Sequence, residues 1–126
     1  MGIAFKTDLI REEWESGKLD KRLKGIVMML AEYMENVYGY DPLTITSLFR
    51  PFDAKNPRSP HPHWRGVDIR DRDMPNGVAD GGVGWCNWKF KYDPKRPALR
   101  TALRHNVGQG SHIHLQVMAE SSPGLS

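Results

Sequence analysis

The chain has 126 residues, of which 39% are hydrophobic and 26% charged, and its formal net charge is +3. This length predicts a single domain, 1–126, with one modest hydrophobic core. The apolar runs are far shorter than the ~20 residues that cross a bilayer, so no membrane partner is expected. The basic charge is spread without a lysine or arginine block, so no nucleic-acid partner is expected either.

Two further features limit the class of protein. The first residues lack the basic start, apolar middle and cleavage site of a signal peptide, which predicts synthesis in the cytoplasm. An action outside the cell would then need release by another route. Cys86 is the one cysteine, so an intrachain disulfide and a cysteine-built zinc site are both excluded. We expect Cys86 to be a half-buried bystander, with a nucleophilic role as the weaker alternative.

Helical patterns fill the first forty residues. Thr7 is a capping residue followed by acidic residues, which predicts a short helix that ends near Gly17. Over 19–38, apolar residues recur at steps of three and four, and this spacing predicts the main helix. Gly39 fits the C-terminal stop of that helix.

Strand patterns follow the main helix. Alternating or apolar segments predict strands at 43–48, 66–70 and 111–118. The glycine-rich segment 75–84 predicts a mobile surface loop, and 85–92 is ambiguous between helix and strand. Leu99 and Leu103 are four residues apart, which predicts a short helix within 96–105, and the polar tail 120–126 is expected to fray. This order of elements predicts an α+β fold with helices on one face of a small, mostly antiparallel sheet.

Histidines and an aspartate cluster in two segments of the sequence. The first segment runs Ser-Pro-His-Pro-His-Trp-Arg-Gly-Val-Asp from Ser59 to Asp68, and the second is His112-Ile-His114. Residues i and i+2 of a strand share a face, so His112 and His114 should project together. Asp68 lies between Val67 and Ile69, which should face the core, so its carboxylate needs a partner to offset desolvation.

A metal ion is one partner that would satisfy this cluster. Histidine nitrogens with one carboxylate oxygen suit zinc, and three protein ligands leave a fourth position open. An ion pair between Asp68 and a nearby arginine (Arg65, Arg70 or Arg72) is the alternative, with the histidines then forming an ordinary polar face.

These residues resemble a known family of bacterial cell-wall zinc peptidases. It comprises D-alanyl-D-alanine carboxypeptidases and L-alanyl-D-glutamate endopeptidases, including phage endolysins, and its wider superfamily contains the Hedgehog domain. The family pattern is a strand ending in S-x-x-R, then S-x-H-x-x-G-x-A-x-D, then E-x-x-H or H-x-H. Ser47 to Arg50, Ser59 to Asp68 and His112 to His114 are similar to the three parts. The resemblance implies a small Hedgehog-like or DD-peptidase-like zinc fold.

The resemblance also implies roles for individual residues. His61, Asp68 and His114 would bind one Zn²⁺ ion. Arg50 and Ser59 would bind substrate, and Arg50 could also hold the developing oxyanion. His112 would assist as an acid or base, with His105 and Asp71 as reserves. His63 is the alternative ligand to His61, and Arg50 could instead pair with Asp53.

The sequence departs from the family pattern in the loop after His61 and at the position of the E-x-x-H glutamate. Trp64 stands where the family has glycine, and Gly66 where it has alanine, so the loop after His61 could have a different shape. Trp64 could line a substrate cleft, although packing against the core is the default role of tryptophan. Ser111 stands in place of the E-x-x-H glutamate, which leaves the general base to be assigned.

The functional prediction is a monomeric zinc metallopeptidase whose partner is a peptidoglycan stem peptide. It would be a carboxypeptidase or endopeptidase, for example a phage endolysin that degrades the bacterial cell wall. A non-catalytic zinc-binding module of the same fold is the first alternative, and the absent glutamate favours it. A small metal-dependent nuclease is the second, although aromatic and basic residues do not interleave in a nucleic-acid motif.

Overall fold

The computed structural model describes residues 2–106 and 111–119. This part of the chain forms an α+β fold with three helices and a five-stranded mixed sheet, which confirms the predicted class. The strands are β1 (Ile3–Phe5), β2 (Leu43–Ser47), β3 (Gly66–Arg70), β4 (Ala102–Asn106) and β5 (Ser111–Gln116). The helices are α1 (Asp8–Glu15), α2 (Lys21–Tyr38) and α3 (Val78–Lys89). The prediction of a frayed tail, 120–126, lies outside the described residues.

The sheet places β3 at its centre. The strand order is β1-β2-β3-β5-β4, with β1 and β2 parallel and the other neighbours antiparallel. Asp68 on β3 is paired with His114 on β5, and His112 on β5 is paired with His105 on β4. The sheet therefore brings residues from three strands onto one face near its middle.

The first two helices lie where the sequence predicted them, although α2 begins at Lys21 rather than at residue 19 and α1 ends at Glu15, two residues before Gly17. The Thr7 side chain accepts a hydrogen bond from the Ile10 N–H, and Asp20 accepts one from the Arg22 N–H, so each helix has a side-chain N-cap. Gly39 ends α2 with φ 67°, a left-handed conformation that costs glycine little.

The core lies between the sheet and the helices. The apolar face of α2 is fully buried at Leu23, Val27, Leu30 and Met34. Ile45, Val67, Ile69, Ile113 and Leu115 are buried in the central strands. Val37 and Tyr38 complete the helical spacing but are exposed, and Cys86 is fully buried rather than half-buried. Within the described residues, no helix has the length and apolar content of a membrane span.

The glycine-rich segment 75–84 was wrongly predicted as a surface loop. Residues 78–84 form the start of α3, and Val78, Ala79 and Gly82 are buried there. A Cβ atom on Gly82 would lie 2.7 Å from Sδ of Met34 on α2. The glycine therefore permits close packing between α3 and α2, a tertiary requirement that composition alone does not reveal. The ambiguous segment 85–92 is helical as far as Lys89.

The short helix predicted within 96–105 was also wrong. Residues 102–106 form β4, an edge strand whose pairing with β5 outweighs the local spacing of Leu99 and Leu103. The sequence did not reveal β1, a strand of three residues that is defined by its parallel pairing with β2.

Candidate metal centre

His61, Asp68 and His114 converge at the centre of the sheet. Nε2 of His61 lies 3.4 Å from Oδ2 of Asp68, and Nδ1 of His114 lies 2.8 Å from Oδ1 of the same carboxylate. The residues are only 1%, 4% and 6% exposed, respectively. Each offers one ligand atom, and the three atoms lie within 4.8 Å of one another. This buried cluster could hold a metal ion.

The His61 ring is held in one orientation by the backbone. His61 lies in a 3₁₀ turn, His61–His63, and its Nδ1 is 2.6 Å from the carbonyl oxygen of Leu48. Because a carbonyl only accepts, Nδ1 must carry the proton, and Nε2 then presents a lone pair. That buried Nε2 has no hydrogen-bond partner among the described residues. A metal ion is the kind of group that would satisfy it.

The His114 ring is held from its other side by Gln116. Nε2 of His114 lies 3.1 Å from Oε1 of Gln116, whose amide nitrogen donates to the Arg100 carbonyl at 2.9 Å. This second bond fixes which end of the amide faces the ring. Nδ1 of His114 is therefore the nitrogen directed at Asp68 and at a possible ion. A hydrogen bond from the non-ligating nitrogen is the usual support of a metal-binding histidine.

Asp68 is held in its ionised form. Burial alone would raise its pKa, but the hydrogen bond from His114, together with the adjacent His61 ring, holds the pKa of the Asp68 carboxyl well below its usual range. The cluster therefore offers an anionic oxygen for a cation. The partner of Asp68 among the arginines is Arg50, whose Nη2 is 3.2 Å from Oδ2, rather than Arg65, Arg70 or Arg72.

Arg50 stands at the edge of the cluster. Its side chain is 53% exposed and borders a cleft of about 440 Å³ that Phe52, Asp53 and Ser59 also line. Arg50 pairs with Asp68 rather than with Asp53, whose Oδ1 accepts the Lys55 N–H. The Ser59 hydroxyl accepts the His61 N–H at 3.3 Å, so it also supports the turn that carries His61.

His112 and His105 extend the cluster towards solvent. Nε2 of His112 lies 3.6 Å from Oδ1 of Asp68, and its side chain is 18% exposed. The ring of His105 meets that of His112 edge to face, with centroids 4.6 Å apart. Partial burial, together with the neighbouring rings of His112 and His114, lowers the pKa of His105. His112 is therefore close to the Asp68 carboxylate and also in reach of solvent.

Three other predicted residues lie apart from the cluster. His63 is exposed at the end of its turn and belongs to neither potential ligand group. Oδ2 of Asp71 accepts from Arg104 and from Ser111, each at 2.8 Å, so this carboxylate ties strand ends together. Trp64 stacks on Phe49 at 4.8 Å between centroids, which is packing rather than a free cleft wall.

Trp64 stands where the resembled family has glycine, and Gly66 where it has alanine. Trp64 has φ 58° and ψ 34°, the left-handed conformation that favours the glycine of the resembled family. A Cβ atom on Gly66 would lie 2.8 Å from Cγ of Pro60 and 3.3 Å from ring carbons of His61 and His114. The alanine of the family pattern would thus crowd the rings of both His61 and His114 in this protein.

Sequence analysis missed two supports of the cluster. Gln116 lies two residues after His114 on the same strand, so its position on the shared face could have indicated a contact. The Leu48 carbonyl is a backbone group, and no residue type reveals it.

Comparisons of the chain with models of protein families, with curated proteins and with solved structures found no match. The fold and the cluster therefore define the class on their own: an α+β protein with a buried two-histidine, one-aspartate centre that could hold a metal ion.

Proposed function

We propose that this protein is a zinc-dependent peptidase that hydrolyses an amide bond in peptidoglycan stem peptides. The observation that supports it most is the meeting of His61, Asp68 and His114, from two distant sequence motifs, around a buried nitrogen without a partner. The family resemblance links this H-x6-D and H-x-H arrangement to cell-wall peptides.

The donor set suits zinc better than magnesium or calcium. Two imidazole nitrogens and one carboxylate oxygen match catalytic zinc sites, whereas the harder ions prefer all-oxygen shells. The oxygens of Leu48 and Gln116 hold the outer nitrogens of both histidines, which is how zinc-binding histidines are oriented. Three protein ligands would leave a position for water or substrate.

The surrounding residues supply the remaining functions. Zinc, when bound, lowers the pKa of a coordinated water towards ~7 and polarises the amide carbonyl. Arg50 binds a substrate carboxylate or the developing oxyanion, since its planar guanidinium can form two parallel hydrogen bonds. His112 accepts the water proton and returns it to the leaving amine. Ser59 lines the same cleft and contacts the substrate peptide beside Arg50.

Mass spectrometry of digested peptidoglycan tests the proposal. Purified protein with one equivalent of Zn²⁺ should release muropeptides shortened or opened at one stem-peptide bond, and a chelator should abolish their release. His61→Ala should be inactive, whereas His63→Ala, which removes an exposed histidine from the same turn, should keep its activity. Unchanged muropeptides with zinc-loaded protein would contradict the peptidase proposal.

A non-catalytic metal-binding module is the second candidate. Ser111 occupies the position of the family glutamate, and its hydroxyl donates to Asp71 at 2.8 Å. Neither residue therefore supplies a base at the cluster. Stoichiometric zinc that is lost in His61→Ala, together with intact muropeptides, would favour this module over the enzyme.

A further inference from the structure

His105 and His112 form a second group of possible ligands beside the first. They are opposite each other in the pair of β4 and β5, on the face of the sheet that carries Asp68. His105, His112 and Asp68 each offer one ligand atom, and these atoms lie within 4.8 Å of one another. The two groups share Asp68 and no other residue.

We propose that His105, His112 and Asp68 form a second divalent-metal site, with Asp68 bridging two ions. This inference rests on the zinc site proposed above, and it extends that site from one ion to two. The second ion would be Zn²⁺ or a similar metal, because two imidazole nitrogens and a carboxylate oxygen again form the donor set.

The Asp68 carboxylate is placed to bridge. Its Oδ2 faces Nε2 of His61 at 3.4 Å, and its Oδ1 faces Nε2 of His112 at 3.6 Å. An ionised carboxylate has two oxygens with about four lone-pair sites, so it can serve an ion on each side. Nδ1 of His114, at 2.8 Å from Oδ1, completes the inner group.

The two sites differ in their exposure to solvent. His61 and His114 are buried, whereas His105 is exposed and His112 is partly exposed. The second ion would be more fully hydrated, and the charge of the first ion would repel it. We therefore expect sequential binding, with the outer ion held on the order of tenfold or more weakly than the inner one.

The second ion would also compete with catalysis. It would take the Nε2 lone pair of His112, the group assigned above to accept a proton. A protein with two ions bound should therefore be less active than one with a single ion.

Calorimetric titration of the metal-free, full-length protein with ZnCl₂ tests the inference. The unmodified protein should bind two ions in two resolved steps. His105→Ala should bind one ion, with the tight dissociation constant changed less than about threefold, and His112→Ala should behave alike. His63→Ala, which also removes one exposed histidine, should keep both steps.

Three results would overturn the second site: saturation of the unmodified protein at one ion, two ions in His105→Ala, or loss of the second step in His63→Ala. Circular dichroism would confirm that each variant is folded. The outcome is independent of hydrolysis. A titration with two steps, together with peptidoglycan that stays intact when the protein carries one equivalent of Zn²⁺, would count against the peptidase alone. A titration with one step, together with cleaved peptidoglycan, would count against the second site alone.

Discussion

Nδ1 of His114 lies 2.8 Å from Oδ1 of Asp68, across the pairing of β3 and β5. Because Asp68 is ionised, this short contact requires a proton on Nδ1 in the metal-free protein. A metal ion at the inner site would have to replace that proton.

We therefore predict that Zn²⁺ affinity falls as the pH falls. Each displaced proton should weaken binding on the order of tenfold per pH unit. Calorimetric titrations between pH 8 and pH 6, repeated in buffers of different ionisation enthalpy, would measure both the affinity and the protons released. A dissociation constant that is independent of pH would contradict the assignment of His114 as a ligand.

Gly66→Ala should weaken metal binding. The added methyl group would press on Pro60 and on the rings of both His61 and His114, and displacement of the rings would disturb the ligand geometry. We expect zinc affinity to fall at least tenfold and the free energy of unfolding to fall by about 1–3 kcal/mol, the usual cost of overpacking. Calorimetry and urea denaturation would measure the two effects. Gly25→Ala, where a Cβ meets nothing within 4 Å, is the matched control and should leave zinc affinity unchanged.

Local patterns and motif spacing predicted much of the fold and the inner cluster. The spacing of apolar residues and the stop at Gly39 located α2, whereas its N-cap, Asp20, was not predicted. Strands β3 and β5 carry Asp68 and His114 on one face as the alternation indicated. The H-x6-D spacing favoured His61 over His63 as a ligand, and the structure places His61, and not His63, in the cluster.

The second group of possible ligands, His105, His112 and Asp68, could not be predicted because it depends on the pairing of β4 with β5. His105 lies opposite His112 because residues 102–106 form β4, whereas the spacing of the leucines predicted a helix there. An edge strand is defined mainly by its neighbour, and packing overrides weak propensity. The first part of α3 was missed for a related reason. Gly82 was interpreted as a loop residue, but it permits close packing against Met34.

Trp64 provides a test of backbone strain. Trp64→Ala and Trp64→Gly both remove the ring that stacks on Phe49 at 4.8 Å, so both should be less stable than the unmodified protein. Glycine alone accepts φ 58° without cost. We expect Trp64→Gly to be more stable than Trp64→Ala by about 1 kcal/mol. Equal unfolding free energies in urea would show that position 64 relaxes out of the left-handed region.

Asp20 should stabilise the start of α2 in a pH-dependent manner. Its carboxylate caps the helix and pairs with Arg22 at 2.7 Å, and this side-chain hydrogen bond lowers the pKa of Asp20. A lowered folded-state pKa means that the stabilisation is complete above the unfolded value of about 3.9 and is lost as the pH falls below it. Asp20→Ala should cost about 1 kcal/mol at pH 7 and much less at pH 3.

Urea denaturation at both pH values would measure this difference. Glu32→Ala, an exposed acidic residue within the same helix, is the control and should change stability little. A cost for Asp20→Ala that is the same at pH 3 and pH 7 would show that the ionised carboxylate is not what stabilises the helix.

Cys86 should be inert in the folded protein. Burial in the core raises the pKa of the Cys86 thiol to about 12, so the thiolate fraction at pH 8 would be on the order of one in ten thousand. A disulfide reagent should therefore modify Cys86 only after unfolding in guanidinium. Cys86 also lies in α3, outside both potential ligand groups, so Cys86→Ala should keep zinc binding and any hydrolysis. Rapid modification of the native protein, or loss of hydrolysis in a folded Cys86→Ala, would support a nucleophilic role for Cys86, which its burial argues against.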